Sequence, residues 1–234
     1  MEPVNPDGQA ALSGLSERAS FLRATYLHLA GAIAGFVLLS FILNAAGVGV
    51  QMLQWMAGAK YGWLLFLGGF MVVGWLATSM ADGAASNAAQ LGGLGIYVVA
   101  ESVIFAPMFA LAQYVAPGAI GSAAFLTVLL CAALTWTAFT SKTDFSFLGG
   151  ILKVAGLCAI GAIVTGVIFG FSLGIWFSAI MIVFAGGCVL FDTGKIIHHY
   201  PVDRPAGAAL HLFASVALML WYVLRLLMQL SGRD

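Results

Sequence analysis

Seven stretches of about twenty mostly apolar residues run through this 234-residue chain, and they leave little freedom in how it can fold. They lie at roughly 25–46, 62–81, 91–114, 119–139, 147–169, 173–192 and 207–230. A helix rising about 1.5 Å per residue needs about 20 such residues to cross a hydrocarbon core about 30 Å thick. Inside each run the apolar residues are continuous and do not alternate with polar ones, which argues for helices and against barrel strands. Short polar or glycine-containing connections separate the runs, at Asp82-Gly83, Ala116-Pro117-Gly118, residues 140–146, Gly170-Phe171-Ser172 and residues 201–205. The expectation is an all-α integral membrane protein with a seven-helix transmembrane domain over 23–234. Residues 1–22, rich in Gly, Ser, Pro and Ala, read as a mobile tail. Glu2 and Asp7 stand where a secretory signal would carry positive charge, so insertion falls to the first span.

Composition supports lipid as the solvent. Hydrophobic residues make up 62% of the chain and charged ones 8%, with a mean hydropathy of +1.04, against about 25% charged in a soluble domain. Nine basic and nine acidic side chains are scattered without a basic tract, which excludes nucleic acid as a partner. Cys131, Cys158 and Cys188 lie in apolar runs without metal-ligand or CxxC spacing and read as buried thiols. An odd number of spans places Arg18, Arg23, Lys142, Lys195 and Arg204 on the side of the N-terminus, and Lys60 and Arg233 on the other. The positive-inside rule then puts the N-terminus in the cytoplasm. The compact, Ala- and Gly-rich chain points to a bacterial inner membrane. Gly31/Gly35 and Gly166/Gly170, spaced by four residues, suggest close helix packing inside a monomer or a weak oligomer.

Ionisable groups inside a span cost at least about 2.5–3.5 kcal/mol at its centre, so each one asks for a reason. Glu101 lies near the middle of the third span, six residues before Pro107. It reads either as a proton or cation site facing a cavity or as a hydrogen-bonded structural carboxyl. Asp192 ends the sixth span, where its charge opposes the helix dipole, with Lys195 three residues on as a potential ion-pair partner. His211 and Ser215 stand one turn apart on the seventh span, at the depth of Asp192. Oxygen ligands with an adjacent imidazole suit a hard cation or a response to pH. Arg225, further along the same span, has two readings: a carboxylate partner, or a side chain that snorkels to the interface. Gly170-Phe171-Ser172-Leu173-Gly174 matches a nucleophile-elbow pattern but joins two membrane helices, so no catalysis is expected from it.

The chain resembles the Bax inhibitor-1 family, the TMBIM or YccA-like membrane proteins. Three stretches carry the likeness: residues 21–26 (FLRATY), residues 142–148 (KTDFSFL), and residues 191–197 (FDTGKII) with 209–213 (ALHLF) and 221–225 (WYVLR) after them. The resemblance implies a central C-terminal helix wrapped by two layers of three helices. It also implies a passive calcium leak with protonation-controlled closure, needing no cofactor beyond Ca²⁺ bound in transit. Asp192 matches the first of a pair of proton-sensing aspartates, but the second position is Ser215. A basic residue that latches the pair at the end of the second span has no counterpart, since residues 82–90 contain no Lys or Arg. The resemblance offers an alternative role as a regulator that binds a membrane-anchored ATP-dependent protease or acts in a stress or cell-death pathway.

Overall fold

The computed structural model describes residues 6–59, 61–83, 86–141 and 143–232, with side chains from residue 14 onward. Lys60, Lys142 and Arg233, which entered the charge argument above, lie outside the described residues. The described residues are 89% helical. Among them eight α-helices follow in order: α1 (Pro6–Ala45), α2 (Val48–Gly58), α3 (Gly62–Asp82), α4 (Asn87–Val115), α5 (Ala119–Thr140), α6 (Leu148–Phe169), α7 (Gly174–His198) and α8 (Pro205–Ser231). All except α2 are long and apolar enough to cross a membrane. The seven expected spans are therefore present, most within a few residues of their expected limits. The first helix starts well before residue 25, and α7 runs on to His198.

Two features differ from expectation. Residues 6–22, assigned above to a tail, are helical and continue without a break into the first span. Phe21 is buried and Arg18 is docked against another helix turn, so the packed body begins before residue 23. The 11-residue α2 was not foreseen, because it is too short to register as a span. Gly47, with φ of 73°, turns the chain between α1 and α2 in a left-handed conformation that favours glycine.

Alternation of direction sets two ends of the bundle. The near end holds the start of α1, the Asp82 end of α3 and the corner between α7 and α8. The far end holds α2 and the C-terminus of α8. Local chemistry sets the helix limits. Ser86 caps α4 by accepting the Ala89 N–H at 3.2 Å, and Pro205 occupies the first turn of α8, where its missing N–H costs nothing.

Helix α8 packs on α1, α3, α4, α5 and α7, and about two-thirds of its central window is buried. This matches the expected central C-terminal helix. Helix α4 is nearly as enclosed, so the core has two central helices, joined through Phe105, Phe213 and Trp221. Helix α6 lies outermost, against α7 and the short turn before it.

The closest helix approaches lie away from the glycine pairs singled out in the sequence. One is at the far end, where Gly49 of α2 sits against the Ala106 backbone of α4, and one is at the near end. A methyl group added at Gly31 would meet nothing within 4 Å, and Gly166/Gly170 forms the end of α6. By contrast, a Cβ on Gly93 would lie 2.5 Å from the Ala77 carbonyl oxygen and 2.9 Å from the Ala81 nitrogen. A Cβ on Gly207 would lie 2.9 Å from the Ala81 carbonyl oxygen. Small residues thus let α3, α4 and α8 meet backbone to backbone at fully buried Ala81. Gly93→Ala should lower stability by about 1–3 kcal/mol through overpacking. Gly31→Ala should leave it unchanged. Thermal unfolding of both variants in the same detergent tests the pair.

Candidate functional site

The contact at Ala81 places its neighbour Asp82 beside the first turns of α8. His211 Nε2 lies 3.1 Å from both carboxylate oxygens of Asp82, and the Tyr200 hydroxyl donates to Oδ1 at 2.6 Å. The Arg204 guanidinium donates to the Asp82 backbone carbonyl at 2.5 Å. Tyr200 packs edge-on against the His211 ring, with centroids 6.0 Å apart. Desolvation and the adjoining Asp82 carboxylate both push the Tyr200 hydroxyl above its ordinary pKa, so it stays a donor. Asp82 was read in the sequence only as part of a turn. The one signal that marked it was a carboxylate ending a span, the same signal that drew attention to Asp192.

One turn deeper, the Ser215 hydroxyl donates to Asp192 Oδ2 at 2.5 Å. The structure thus brings Asp192, Ser215 and His211 together, with Ser215 bonded to the carboxylate and His211 turned to Asp82. Among the described residues, no ion pair joins Lys195 to Asp192. The Lys195 ammonium lies 5.5 Å from the Tyr200 ring centroid instead, so the local pairing expected from sequence is not formed. Glu101 is 6% exposed and shares a side-chain hydrogen bond with Tyr97, one turn earlier on α4. Arg225 has no carboxylate partner among the described residues, and its guanidinium sits 5.9 Å from the Phe177 ring centroid.

These groups face one cavity of about 370 Å³ lined by residues of α3, α4, α6, α7 and α8. His211, Asp192 and Ser215 line its near half, Glu101 its side, and Arg225 its far end. Trp63 and Trp221, stacked at 5.8 Å, and Arg225 also line a second cavity of about 490 Å³ beneath α2. An aromatic pair and a guanidinium therefore separate the two spaces.

The near end is closed by the α7–α8 corner. Arg18 donates to the carbonyls of Tyr200 at 2.6 Å and His198 at 3.1 Å, and Phe21 stacks on Tyr200. Gln90 Nε2 donates to the Asp203 carbonyl at 3.1 Å. His199 Nε2 contacts Asp144 Oδ2 at 3.3 Å. Four helices and one loop thus converge on seven residues of chain.

A sequence model of the family described as "Inhibitor of apoptosis-promoting Bax1" matches residues 18–232. The chain belongs to the Bax inhibitor-1 family. A search of curated protein sequences gave no match. Family membership and seven spanning helices together make the chain a multi-pass integral membrane protein.

The Asp144 contact gives a test of the corner by pH. The Ser146 backbone N–H donates to Asp144 at 2.9 Å and, with His199, holds that carboxyl below its usual range. A depressed carboxylate contributes above its unfolded pKa and loses that contribution only as pH falls through the lower folded value. Protection of the Ser146 amide should therefore persist from neutral pH down to about pH 4, near the reference carboxylate value, and collapse only below it. Asp144→Ala, which deletes the oxygen that accepts from Ser146, should remove that protection at neutral pH. Hydrogen exchange over residues 143–148 reads both outcomes.

Proposed function

We propose that this protein is a pH-sensitive passive cation leak, with Ca²⁺ as its ion, in a bacterial inner membrane with the N-terminus cytoplasmic. The observation that carries this reading is the cavity bearing Glu101 and Asp192, with His211 on its near wall paired to Asp82. Carboxylates on a cavity wall attract a cation, and the closure beside them pairs an acid with a histidine, a side chain able to gain or lose a proton. Arg18, Arg23, Lys195 and Arg204 all fall at or beside the near end, which supports that end as cytoplasmic.

The direction of the pH effect follows from the pairing. Protonated His211 attracts Asp82 and tightens the closure, and neutral His211 holds it less strongly. Protonation of Asp192 or Glu101 removes the charge that draws the cation inward. Both changes lower the leak in acid and raise it as the pH rises. The groups around His211 are Asp82 on α3, Asp192 and Lys195 on α7, Tyr200 and Arg204 at the corner, and Glu101 on α4. In this reading the latch has the reverse polarity of the family pattern, with the acid on α3 and the base on α8. Ser215 keeps Asp192 hydrogen-bonded without adding a second titrating carboxylate.

Calcium flux into liposomes holding the purified protein, measured over pH 5–8, tests the proposal. Flux should rise with pH. His211→Gln should flatten the profile and raise the acid-side leak about fivefold, the equivalent of roughly 1 kcal/mol for a partly exposed pair. Asp192→Asn should lower flux at every pH. Flux no greater than in empty liposomes would overturn the reading.

One observation favours the regulatory alternative. At about 1.5 Å per residue, the 40-residue α1 is about 60 Å long, twice the hydrocarbon thickness. Its N-terminal part projects past the near end and exposes Leu15. Such an extension suits engagement by a membrane-anchored ATP-dependent protease. Removing residues 2–17, which spares Arg18, separates the roles: a leak keeps its flux, whereas a protease regulator loses its effect on the protease.

A further inference from the structure

The cavity between α3, α4, α7 and α8 is poorly built for a bare metal ion. Calcium takes six to eight oxygen ligands at 2.3–2.6 Å. Among the described residues, no group of three or more His, Cys, Asp or Glu side chains is placed to hold a metal. The wall is mainly apolar instead, and the rings of Trp63, Phe70, Tyr97, Phe105 and Trp221 form part of it beside aliphatic side chains. Into this apolar, ring-bearing space face two acids, Glu101 and Asp192, from different helices. Rings and carboxylates around an apolar space are the recognition chemistry of an organic cation, whose charge is spread over alkyl groups and met by ring faces. A volume of about 370 Å³ falls in the range of small-molecule sites.

The cavity is also polar along its length. Ser215, which holds Asp192, and Arg225 are ten residues apart on α8, or about 15 Å along the axis. The carboxylates lie toward one end and a guanidinium stands at the other, beyond the stacked Trp63 and Trp221. A guest with one positive charge and an apolar tail satisfies both ends. A guest with a second positive charge at the far end meets Arg225 and is repelled.

We infer that this cavity is a binding site for a small monovalent organic ammonium with an apolar tail, its cationic head between Glu101 and Asp192 and its tail against Trp63 and Trp221. This site stands whether or not the protein conducts ions, since occupancy requires only the cavity and its charges.

Binding is measured by calorimetry on the full chain in phosphatidylcholine nanodiscs, with empty nanodiscs as reference. Three probes are compared: benzyltrimethylammonium, its neutral carbon isostere neopentylbenzene, and decamethonium, which carries ammonium groups at both ends of a ten-carbon chain. Benzyltrimethylammonium should bind saturably, and the other two at least tenfold more weakly. Glu101→Gln and Asp192→Asn should each weaken the first probe at least tenfold while leaving the ligand-free melting temperature within a few degrees. Should either variant fail to fold, Trp63→Leu tests the tail end of the site and should weaken the same probe at least fivefold. No saturable binding, equal binding of the neutral isostere, equal binding of decamethonium, or undiminished affinity in the folded variants would each overturn the inference. Because flux is not the readout, a non-conducting protein that binds the ammonium supports the site, and a conducting one that does not bind it refutes it.

Discussion

Three helix backbones meet at Ala81, and most of what is distinctive at the near end depends on that contact. Gly93 on α4 and Gly207 on α8 have no side chain at the points where the carbonyls of Ala77 and Ala81 approach them. In lipid there is no hydrophobic drive between helices, so close backbone approach and van der Waals packing must supply the association. The approach draws the end of α3 against α8, and Asp82 comes within hydrogen-bonding distance of His211 as a result. A longer side chain at any of these positions would push α3 outward and separate the acid from the base. Packing and charge pairing are in this way one device.

The corner from His198 to Pro205 transmits that device to the rest of the bundle. A helix C-terminus leaves carbonyls without intrahelical partners, and at α7 the guanidinium of Arg18 takes up two of them. Phe21, stacked on Tyr200, excludes water from the same contact. Tyr200 in turn holds Asp82. The first helix is therefore tied to the acid–histidine pair through a single tyrosine. A displacement of the α1 extension by a partner would be felt at Asp82, which links the two proposed roles physically.

The spans were legible in the sequence because length and apolarity alone decide whether a helix can cross a membrane. The pairing of Asp192 with Ser215 was legible too, since depth and helical register place them at one level. What sequence could not supply was lateral proximity. Asp82 and His211 are 129 residues apart in sequence, and only the packing at Ala81 shows that they meet. The absence of Lys or Arg at the end of the second span suggested a missing latch, and nothing in the sequence signalled that Asp82 at that end meets His211 on α8. Lys195 misled for the reverse reason. Its spacing from Asp192 allowed a pair, but the Tyr200 ring lay within reach and outside the sequence window. Helix α2 escaped notice because 11 residues are too few for a span, although it roofs the far cavity.

The fixed charge at Arg225 limits what the proposed pathway can do. A cation drawn to Asp192 and Glu101 must next pass a guanidinium that stays protonated at any physiological pH. At about 5 Å and an effective dielectric of 20, a divalent ion and this charge repel by roughly 6–7 kcal/mol, twice the value for a monovalent ion. Few protein oxygens line the space, so an ion in it keeps its water, and hydration screens part of that repulsion. In that proposal the separation at Trp63, Trp221 and Arg225 would govern the rate, and the near-end pair the response to pH. In the proposed leak, two barriers in series, one set by a permanent charge and one by the acid–histidine pair, would make conduction slow and its pH dependence separable from its selectivity. A guest ammonium held between the carboxylates would neutralise the only charges that offset Arg225. The same cavity would then cease to attract cations at all.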